Sequence, residues 1–386
     1  ARSISLHPCS LIDRNSLSGM RDDAKASYSM TILAFVLVTV LAQDDAAQAY
    51  QIAFAVRQKG QSGVYAVNAD GGEHKRLTND GNDFLPRWSP DGKQIAFLSM
   101  RQQDLELLSE HDLAFHWFLY VMDADGRNQR RLTQTPIGMM YRWSPDGSRF
   151  LFESSYEDPK NKGKDGTVSS AIYVVAVDGS KQKRLTSVEG IDGSPVWSPD
   201  GKQIAFCSNR FGNMDIFAMN ADGRGVQRLT DDEANDTGPI WSPDGTRIAF
   251  MSNGAQRDGV YLVRPDGTDK NLVCPGGRPV AWGPDSRRLL VATTENLIVT
   301  TSDGLAQVRL TDDAQARDAM FSPAGKAVLY RSKVNGRWTI TSVEIERLSQ
   351  KRIWGGGGIV NSLSVSPLRQ PADNKRVNRS GESGGF

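Results

Sequence analysis

The stretch WSPDGKQIAF, at residues 197–206, recurs along the chain with small changes. Successive copies begin 39 to 55 residues apart, and this is the period expected of propeller blades. Close copies begin at Trp88, Trp143 and Trp241, and looser ones at Trp282 and Phe321.

Each copy is predicted to be two strands joined by a tight turn. In Ser-Pro-Asp-Gly, proline takes the second turn position, where its fixed φ suits a type I turn, and glycine takes the last, where φ can be positive. Ten residues after Phe206 a second apolar run closes on Asp-Gly, as in IFAMNADG at 216–223, and Arg-Leu-Thr follows. Asp-Gly between alternating runs indicates a hairpin. Each repeat therefore predicts four antiparallel strands.

The second strand of each repeat is apolar on both faces, as in IAFL at residues 95–98 and IAFM at residues 248–251. Such a strand packs against other sheets on both sides. Radial stacking of four-stranded blades provides this packing and leaves only short edges. We therefore predict an all-β fold, a β-propeller of four-stranded antiparallel blades.

The two ends of the repeat region are predicted to build one blade together. Residues 50–78 match strands two, three and four of a repeat, and NSLSVSP at residues 361–367 resembles the run into a repeat start. This composite and the six starts give seven blades. Six blades is the alternative if the unit at residues 321–354, which lacks the Asp-Gly turn, is irregular. The propeller domain is predicted to span residues 50–367.

Residues 1–49 do not fit the repeat and resemble a leader with a secretory signal peptide. TILAFVLVTVLA at residues 31–42 follows two basic residues. These 12 apolar residues are too few to span a bilayer, and Ala-Gln-Ala at residues 47–49 provides a small-x-small cleavage site. We therefore expect cleavage before Tyr50 and a periplasmic or secreted protein without stable membrane insertion.

The chain after the propeller is predicted to be a disordered tail, because residues 368–386 lack apolar periodicity. The tail contains the one Gly-x-Ser-x-Gly match of the sequence, at residues 381–385. A peptidase nucleophile elbow needs a strand before it and a helix after it, and neither is predicted here. No residue of the chain is therefore assigned a catalytic role.

The connection between strands two and three of the second blade is longer and more apolar than a solvated loop requires. Loops on a rigid scaffold are where binding usually occurs, and exposed aromatic side chains mark partner sites. The alternative is that these side chains pack under their own loop. The partner-binding candidates are Leu113, Phe115, Trp117 and Phe118.

An aspartate stands five positions before three of the repeat tryptophans, and a fourth lies close to this register in the last unit. These are Asp83, Asp192, Asp236 and Asp318. Loops that enter the innermost strands ring one mouth of the channel, so these carboxylates could hold a divalent cation or a basic partner group. The alternative is that each accepts backbone N–H bonds in its own loop. Apart from such a cation, no cofactor or metal is predicted.

The long connection of blade two and the four aspartates are predicted to share one face. In an antiparallel four-stranded blade, the connection from strand two to three and the connection to the next blade emerge at the same end. We call this end the upper face. We expect it to carry the binding function.

The tandem WSPDG(K/T)xIAF units, paired with (I/V)(Y/F)xxxxDG and Arg-Leu-Thr, resemble the Asp-Pro-type propeller repeats of the TolB family over residues 50–367. The resemblance implies a TolB-like envelope or transport-associated protein that binds a protein partner without catalysis. The same repeats also occur in prolyl-oligopeptidase-type peptidases and oligogalacturonate lyases. A carbohydrate lyase or hydrolase, or a glycan-binding propeller that uses the central channel, is therefore the alternative.

Composition limits the kind of partner. The 386 residues carry a formal net charge of +1, and this balance gives no reason to expect a nucleic-acid partner. We expect a monomer whose partner is a protein of the periplasm or cell envelope.

Overall fold

The computed structural model describes residues 50–58, 61–80, 82–101, 104, 117–155, 170–187, 190–254, 257–312, 316–355 and 359–366. Within these residues the chain forms 28 β-strands in seven four-stranded sheets, and neighbouring strands of each sheet run antiparallel. The predicted β-propeller of seven blades is confirmed. The predicted leader and tail lie outside the described residues.

The strands follow the repeats in chain order. The first three are β1 (Gln51–Gln58), β2 (Gln61–Asn68) and β3 (His74–Arg76). Blade two holds β4 (Asp83–Trp88), β5 (Gln94–Ser99), β6 (Phe118–Asp123) and β7 (Arg130–Arg131). Blade three holds β8 (Tyr141–Trp143), β9 (Arg149–Ser154), β10 (Ala171–Ala176) and β11 (Lys183–Arg184). Blade four holds β12 (Asp192–Trp197), β13 (Gln203–Ser208), β14 (Asp215–Asn220) and β15 (Gln227–Arg228).

The second half of the ring repeats this order. Blade five holds β16 (Asn235–Trp241), β17 (Ile248–Asn253), β18 (Gly259–Val263) and β19 (Asn271–Pro275). Blade six holds β20 (Arg278–Trp282), β21 (Arg288–Ala292), β22 (Leu297–Thr301) and β23 (Gln307–Arg309). Blade seven holds β24 (Arg317–Phe321), β25 (Ala327–Val334), β26 (Arg337–Glu344) and β27 (Gln350–Gly355), and β28 (Ile359–Val365) follows it.

Blade one joins the two ends of the described chain, as predicted. Its sheet order is β28-β1-β2-β3, and Phe54 of β1 lies opposite Leu363 of β28. The Ser366 backbone N–H donates to the Gln51 carbonyl at 2.7 Å, and the Gln51 N–H donates to Ser366 Oγ at 2.8 Å. The last strand therefore supplies the innermost position of the first blade.

The Ser-Pro-Asp-Gly turn has the predicted geometry. In blade four, Gly201 has φ +68°, and its N–H donates to the Ser198 carbonyl at 2.9 Å. Ser198 Oγ donates to the Asp200 carboxylate at 2.6 Å and accepts the Gln203 N–H at 2.9 Å. The side chains of the motif thus bond the turn from within. The motif recurs because blades two to seven each need this turn between their first two strands.

The Arg-Leu-Thr motif ties the fourth strand to the third. In blade four, Thr230 Oγ1 accepts the Ile216 backbone N–H at 2.9 Å. The same bond, from the first residues of strand three to the threonine, occurs in four other blades, at Thr78, Thr133, Thr186 and Thr311. The threonine therefore satisfies a backbone donor that the short outer strand leaves unpaired.

The core lies between blades. The phenylalanines at the centre of the second strands, Phe97, Phe206 and Phe250, are fully buried. The indole Nε1 of Trp143 donates to the Arg87 carbonyl of the preceding blade at 3.1 Å. Trp282 makes the same bond to Ile240, at 3.2 Å. Trp143 and Trp282 therefore connect neighbouring blades as well as filling the space between them.

Candidate functional site

The innermost strands share a bulge three residues before the repeat tryptophan. Pairing with the second strand shifts register there in several blades. The residues at this position have positive φ: Leu85 (50°), Ser194 (52°), Gly238 (63°) and Asp318 (50°). Bulges bend a strand and re-aim its side chains. Leu85 and Asp318 consequently line the central channel.

The central channel holds a cavity of about 630 Å³, formed mainly by the innermost strands. A cavity of this size lies in the range of ligand sites, which are mostly apolar with a few convergent polar groups. Its charged lining side chains are Arg87, Arg142, Arg278, Arg317 and Asp318. Most of the other lining residues are apolar, and they include Met139, Met140 and Met320.

Two of the arginines lie deep in this lining and influence each other. Burial lowers the pKa of Arg142 to about 9, and the positive charge of Arg87 acts in the same direction. The Arg142 guanidinium donates to the Tyr141 carbonyl at 3.0 Å. The Arg87 guanidinium lies 5.5 Å from the centroid of the Tyr141 ring. The channel wall therefore concentrates positive charge.

Glu153 supplies a partial counter-charge behind Arg142. Burial raises the pKa of the Glu153 carboxyl, while the Ser194 backbone N–H and the charge of Arg142 oppose that shift. The Ser194 N–H donates to Glu153 Oε2 at 3.0 Å. This carboxylate is therefore engaged with the backbone of the next blade.

Asp318 is the only carboxylate among the described residues that line the cavity. The Arg331 guanidinium donates to it at 2.5 Å and also to the Val360 carbonyl at 2.7 Å. Of the four predicted channel aspartates, Asp318 alone lies at the channel, and its charge is matched by Arg331.

The other three predicted aspartates lie inside the blades. The Asp192 carboxylate accepts a hydrogen bond from Arg210 at 2.8 Å, and the Asp236 carboxylate accepts one from Lys270 at 2.9 Å. Each stands opposite the last serine of its second strand, in the pairs Asp83 with Ser99, Asp192 with Ser208 and Asp236 with Ser252. All three aspartates are at most 2% exposed. The predicted ring of channel-mouth carboxylates is therefore wrong for these three, because all of them are buried inside the blades, and ion pairs hold Asp192 and Asp236 there.

The apolar candidates of blade two separate into three groups. Leu113 and Phe115 lie outside the described residues. Trp117 is half-buried and packs edge-to-face on Phe84, with ring centroids 4.3 Å apart. Phe118 is 0% exposed and belongs to the core between blades one and two. The prediction that Phe118 is an exposed partner contact is wrong, because neighbouring blades cover both faces of β6.

Three exposed apolar side chains that the sequence analysis did not select lie on the upper face of blades three and four. Met139 is 55% exposed and precedes β8, and Ile191 is 43% exposed and precedes β12. Phe211 is 64% exposed and lies in the hairpin between β13 and β14. Trp117, which precedes β6, lies at the same end of blade two. The upper face therefore exposes apolar side chains on blades three and four, beside the half-buried Trp117 of blade two.

Two further observations concern metal binding and membrane insertion. No group of three His, Cys, Asp or Glu side chains arranged to hold a metal occurs among the described residues. In that same part of the chain, no helix has the length and hydrophobicity needed to cross a membrane.

Known proteins resemble this chain over part of its length. The chain is 32% identical to a stretch of the "Uncharacterized peptidase YuxL" of Bacillus subtilis, covering 32% of this chain and 21% of the relative. It is 29% identical to a "Protein TolB homolog" of Chlorobium luteolum, covering 44% of this chain and 34% of the relative. The chain thus spans about a third or less of the length of these two relatives.

One solved structure shares the fold of this chain, and one family model shows its family. An oligogalacturonate lyase in complex with manganese superposes with a TM-score of 0.62, at 15% identity over 78% of this chain and 91% of the lyase, and so shares the fold. The family model of the TolB beta propeller domain matches residues 108–369, which is more than half of the chain. The chain therefore belongs to the TolB beta propeller domain family.

Proposed function

We propose that this protein is a non-enzymatic, protein-binding propeller of the TolB type, which acts as a monomer in the periplasm or as a secreted protein. The observation that carries the proposal is the exposure of Met139, Ile191 and Phe211 on the upper face. Exposed apolar side chains grouped on one face of a rigid scaffold are typical of protein-binding surfaces. The partner is proposed to be a protein of the cell envelope, in keeping with the TolB homologue among the relatives.

The lining of the channel argues against a glycoside hydrolase. Glycoside cleavage by acid and base needs two carboxyl groups that flank the scissile bond. The described lining offers only Asp318, and Arg331 holds it. The balanced net charge of +1 likewise favours a protein over a nucleic-acid partner.

The test is affinity capture of the partner from an envelope extract. Phe211→Ala and Trp117→Ala are each expected to weaken capture about tenfold, or about 1.4 kcal/mol, because each removes an aromatic contact from the upper face. Phe211 is 64% exposed but stacks on Phe217, with ring centroids 6.0 Å apart, so the melting temperature of its variant is measured alongside capture. The stability of Trp117→Ala is measured separately, because Trp117 packs on Phe84.

Leu305→Ala is the matched control. Leu305 is 87% exposed but lies between β22 and β23, at the opposite end of its blade. Capture by this variant should equal that of the parent protein. If Leu305→Ala weakens capture while Phe211→Ala and Trp117→Ala do not, the partner surface lies elsewhere and the proposal fails.

A further inference from the structure

The hairpin between β25 and β26 extends further at the upper face than the matching hairpin of blade four. β25 begins six positions after Phe321, and β13 begins six positions after Trp197, so the two hairpins start at the same level. β25 and β26 have eight residues each, whereas β13 and β14 have six each. At about 3.3 Å per residue, the hairpin of blade seven extends about 7 Å further.

This hairpin carries charge of one sign. Residues 319–343 contain four basic residues and no Asp or Glu. Arg331 already pairs with Asp318, but Lys333 and Arg337, on either side of the tip, are exposed. Among the described residues, no carboxylate lies within ion-pair distance of either side chain. The tip of the hairpin is therefore basic and has no counter-charge of its own.

A groove of about 390 Å³ lies beside this hairpin. Arg337 lines it from β26 and Arg352 lines it from β27, and the described lining contains no carboxylate. The Arg352 guanidinium likewise has no acidic partner among the described residues. Its side chain lies over Gly355, where an added Cβ would be 3.2 Å from Arg352 Cδ. Two unpaired guanidinium groups at one groove match the oxygens of a phosphate group, which each can contact through paired N–H donors.

The tip of the hairpin favours a flat anionic surface over a single acidic side chain. Lys333 lies opposite Trp338, with its ammonium 5.4 Å from the indole centroid, and Trp338 packs towards blade one. Arg337 lines the groove on the other side of the hairpin. Val334 is 36% exposed at the tip between them. Basic side chains around an apolar tip, with a tryptophan behind it, are typical of contacts with the interface of an anionic membrane.

We propose that the hairpin of blade seven docks on an anionic membrane surface, with a phospholipid phosphate in the groove between Arg337 and Arg352 and Val334 among the headgroups. The contact is peripheral and reversible, because it involves the headgroup layer alone. The inference goes beyond the proposed function and does not depend on the protein partner. Blades three and four, which carry Met139 and Phe211, lie across the ring from blade seven, so membrane contact leaves them accessible.

The test is co-sedimentation of the full chain with sucrose-loaded vesicles. One set of vesicles contains phosphatidylglycerol and phosphatidylcholine in equal amounts, and the other contains phosphatidylcholine alone. The parent protein should bind the first set and not the second, and added salt should weaken binding. Arg337→Gln and Arg352→Gln should each weaken binding about fivefold, because each removes one positive charge from the membrane contact.

Three variants separate membrane contact from folding and from general charge. Arg337→Lys keeps the charge and should recover most of the binding that Arg337→Gln loses. Arg347 is 60% exposed at its side chain and lies between β26 and β27, at the opposite end of the same blade. Arg347→Gln should therefore bind vesicles like the parent protein. Phe211→Ala should also bind vesicles like the parent protein, whatever its effect on partner capture.

Other results would overturn the inference. Equal binding to both sets of vesicles, or an equal loss in Arg347→Gln and Arg337→Gln, would show that the groove does not recognise anionic lipid. If inorganic phosphate binds through Arg337 and Arg352 while vesicles do not bind, the groove is a site for a soluble anion. If polyglutamate binds and vesicles do not, the basic hairpin contacts an acidic protein surface instead of a membrane.

Discussion

Deletion of residues 359–386 is expected to abolish cooperative unfolding of the propeller. The deletion removes β28, which pairs along β1 from Ile52 to Arg57 and buries Val360 and Leu363. The edge of β1 would be exposed, together with Ile52 and Phe54, which are fully buried in the intact protein. The lost packing and pairing are comparable to the total stability of a typical domain, about 5 to 15 kcal/mol.

Urea unfolding followed by tryptophan fluorescence checks this prediction. Deletion of residues 370–386 is the matched control, because it shortens the chain without removing any residue of β28. Its unfolding midpoint should equal that of the full chain. Equal midpoints for both deletions would mean that β28 does not close the ring.

Asp192→Asn is expected to destabilise the fold by about 3 kcal/mol, because it leaves a buried charge without its partner. The Asp192 carboxylate and the Arg210 guanidinium are 2.8 Å apart, with their side chains 2% and 17% exposed. Chemical denaturation at pH 7 measures the loss. A change below about 1 kcal/mol, the range of exposed ion pairs, would contradict this reading of the pair.

Asp83→Asn, at the equivalent position of blade two, is expected to leave stability unchanged or raise it at pH 7. Burial raises the pKa of Asp83, and the Ser99 and Thr78 hydroxyls and the charge of Arg101 only partly oppose the shift. Because the folded pKa exceeds the unfolded value of 3.8, ionisation of Asp83 at neutral pH disfavours folding, and asparagine removes that penalty. Arg101 keeps its contacts with Asp80 and Gln129.

The pH dependence gives a second readout for this variant. As the pH falls below the folded pKa towards the unfolded value of 3.8, Asp83 becomes protonated first in the folded state, and the advantage of Asp83→Asn should shrink. Denaturation at pH 7 and near pH 4 makes the comparison. If Asp83→Asn is as destabilising as Asp192→Asn at pH 7, Asp83 has a favourable partner and the argument from burial is wrong.

The fold could be predicted from sequence because its signals are local and repeated. The turn at residues 198–201 and the threonine at position 230 act within one blade, so each copy of the motif carries its own structural information. Closure by β28 was also predictable, since residues 361–367 keep the pattern of a strand that the first blade lacks. Inter-blade hydrogen bonds such as Trp143 to Arg87 link residues 56 positions apart, and no local pattern indicates them.

The site was harder to predict because its chemistry depends on neighbours and on side-chain direction. Spacing placed Asp192 correctly at the start of an innermost strand, but its partner Arg210 lies 18 positions away in sequence. Composition alone assigned Phe118 to a surface loop, whereas it begins β6 and is fully buried.

The channel arginines can be recognised in the sequence, although they are not part of the repeat motif. Arg87 and Arg142 immediately precede the repeat tryptophan, where blades four and five have Val196 and Ile240. Comparing the residue before the tryptophan from repeat to repeat distinguishes the blades that carry a basic residue there from those that carry an apolar one. The direction of the Arg87 side chain depends on a bulge with positive φ at Leu85, which spacing does not reveal.

The central claim, that the upper face binds a protein partner, is tested most directly by site-specific photo-cross-linking in envelope extract. A photoreactive amino acid replaces Met139, which is 55% exposed on the upper face, or Leu305, which is 87% exposed at the opposite end. We predict a protein adduct from position 139 and none from position 305. An adduct from position 305 with none from position 139 would contradict the claim.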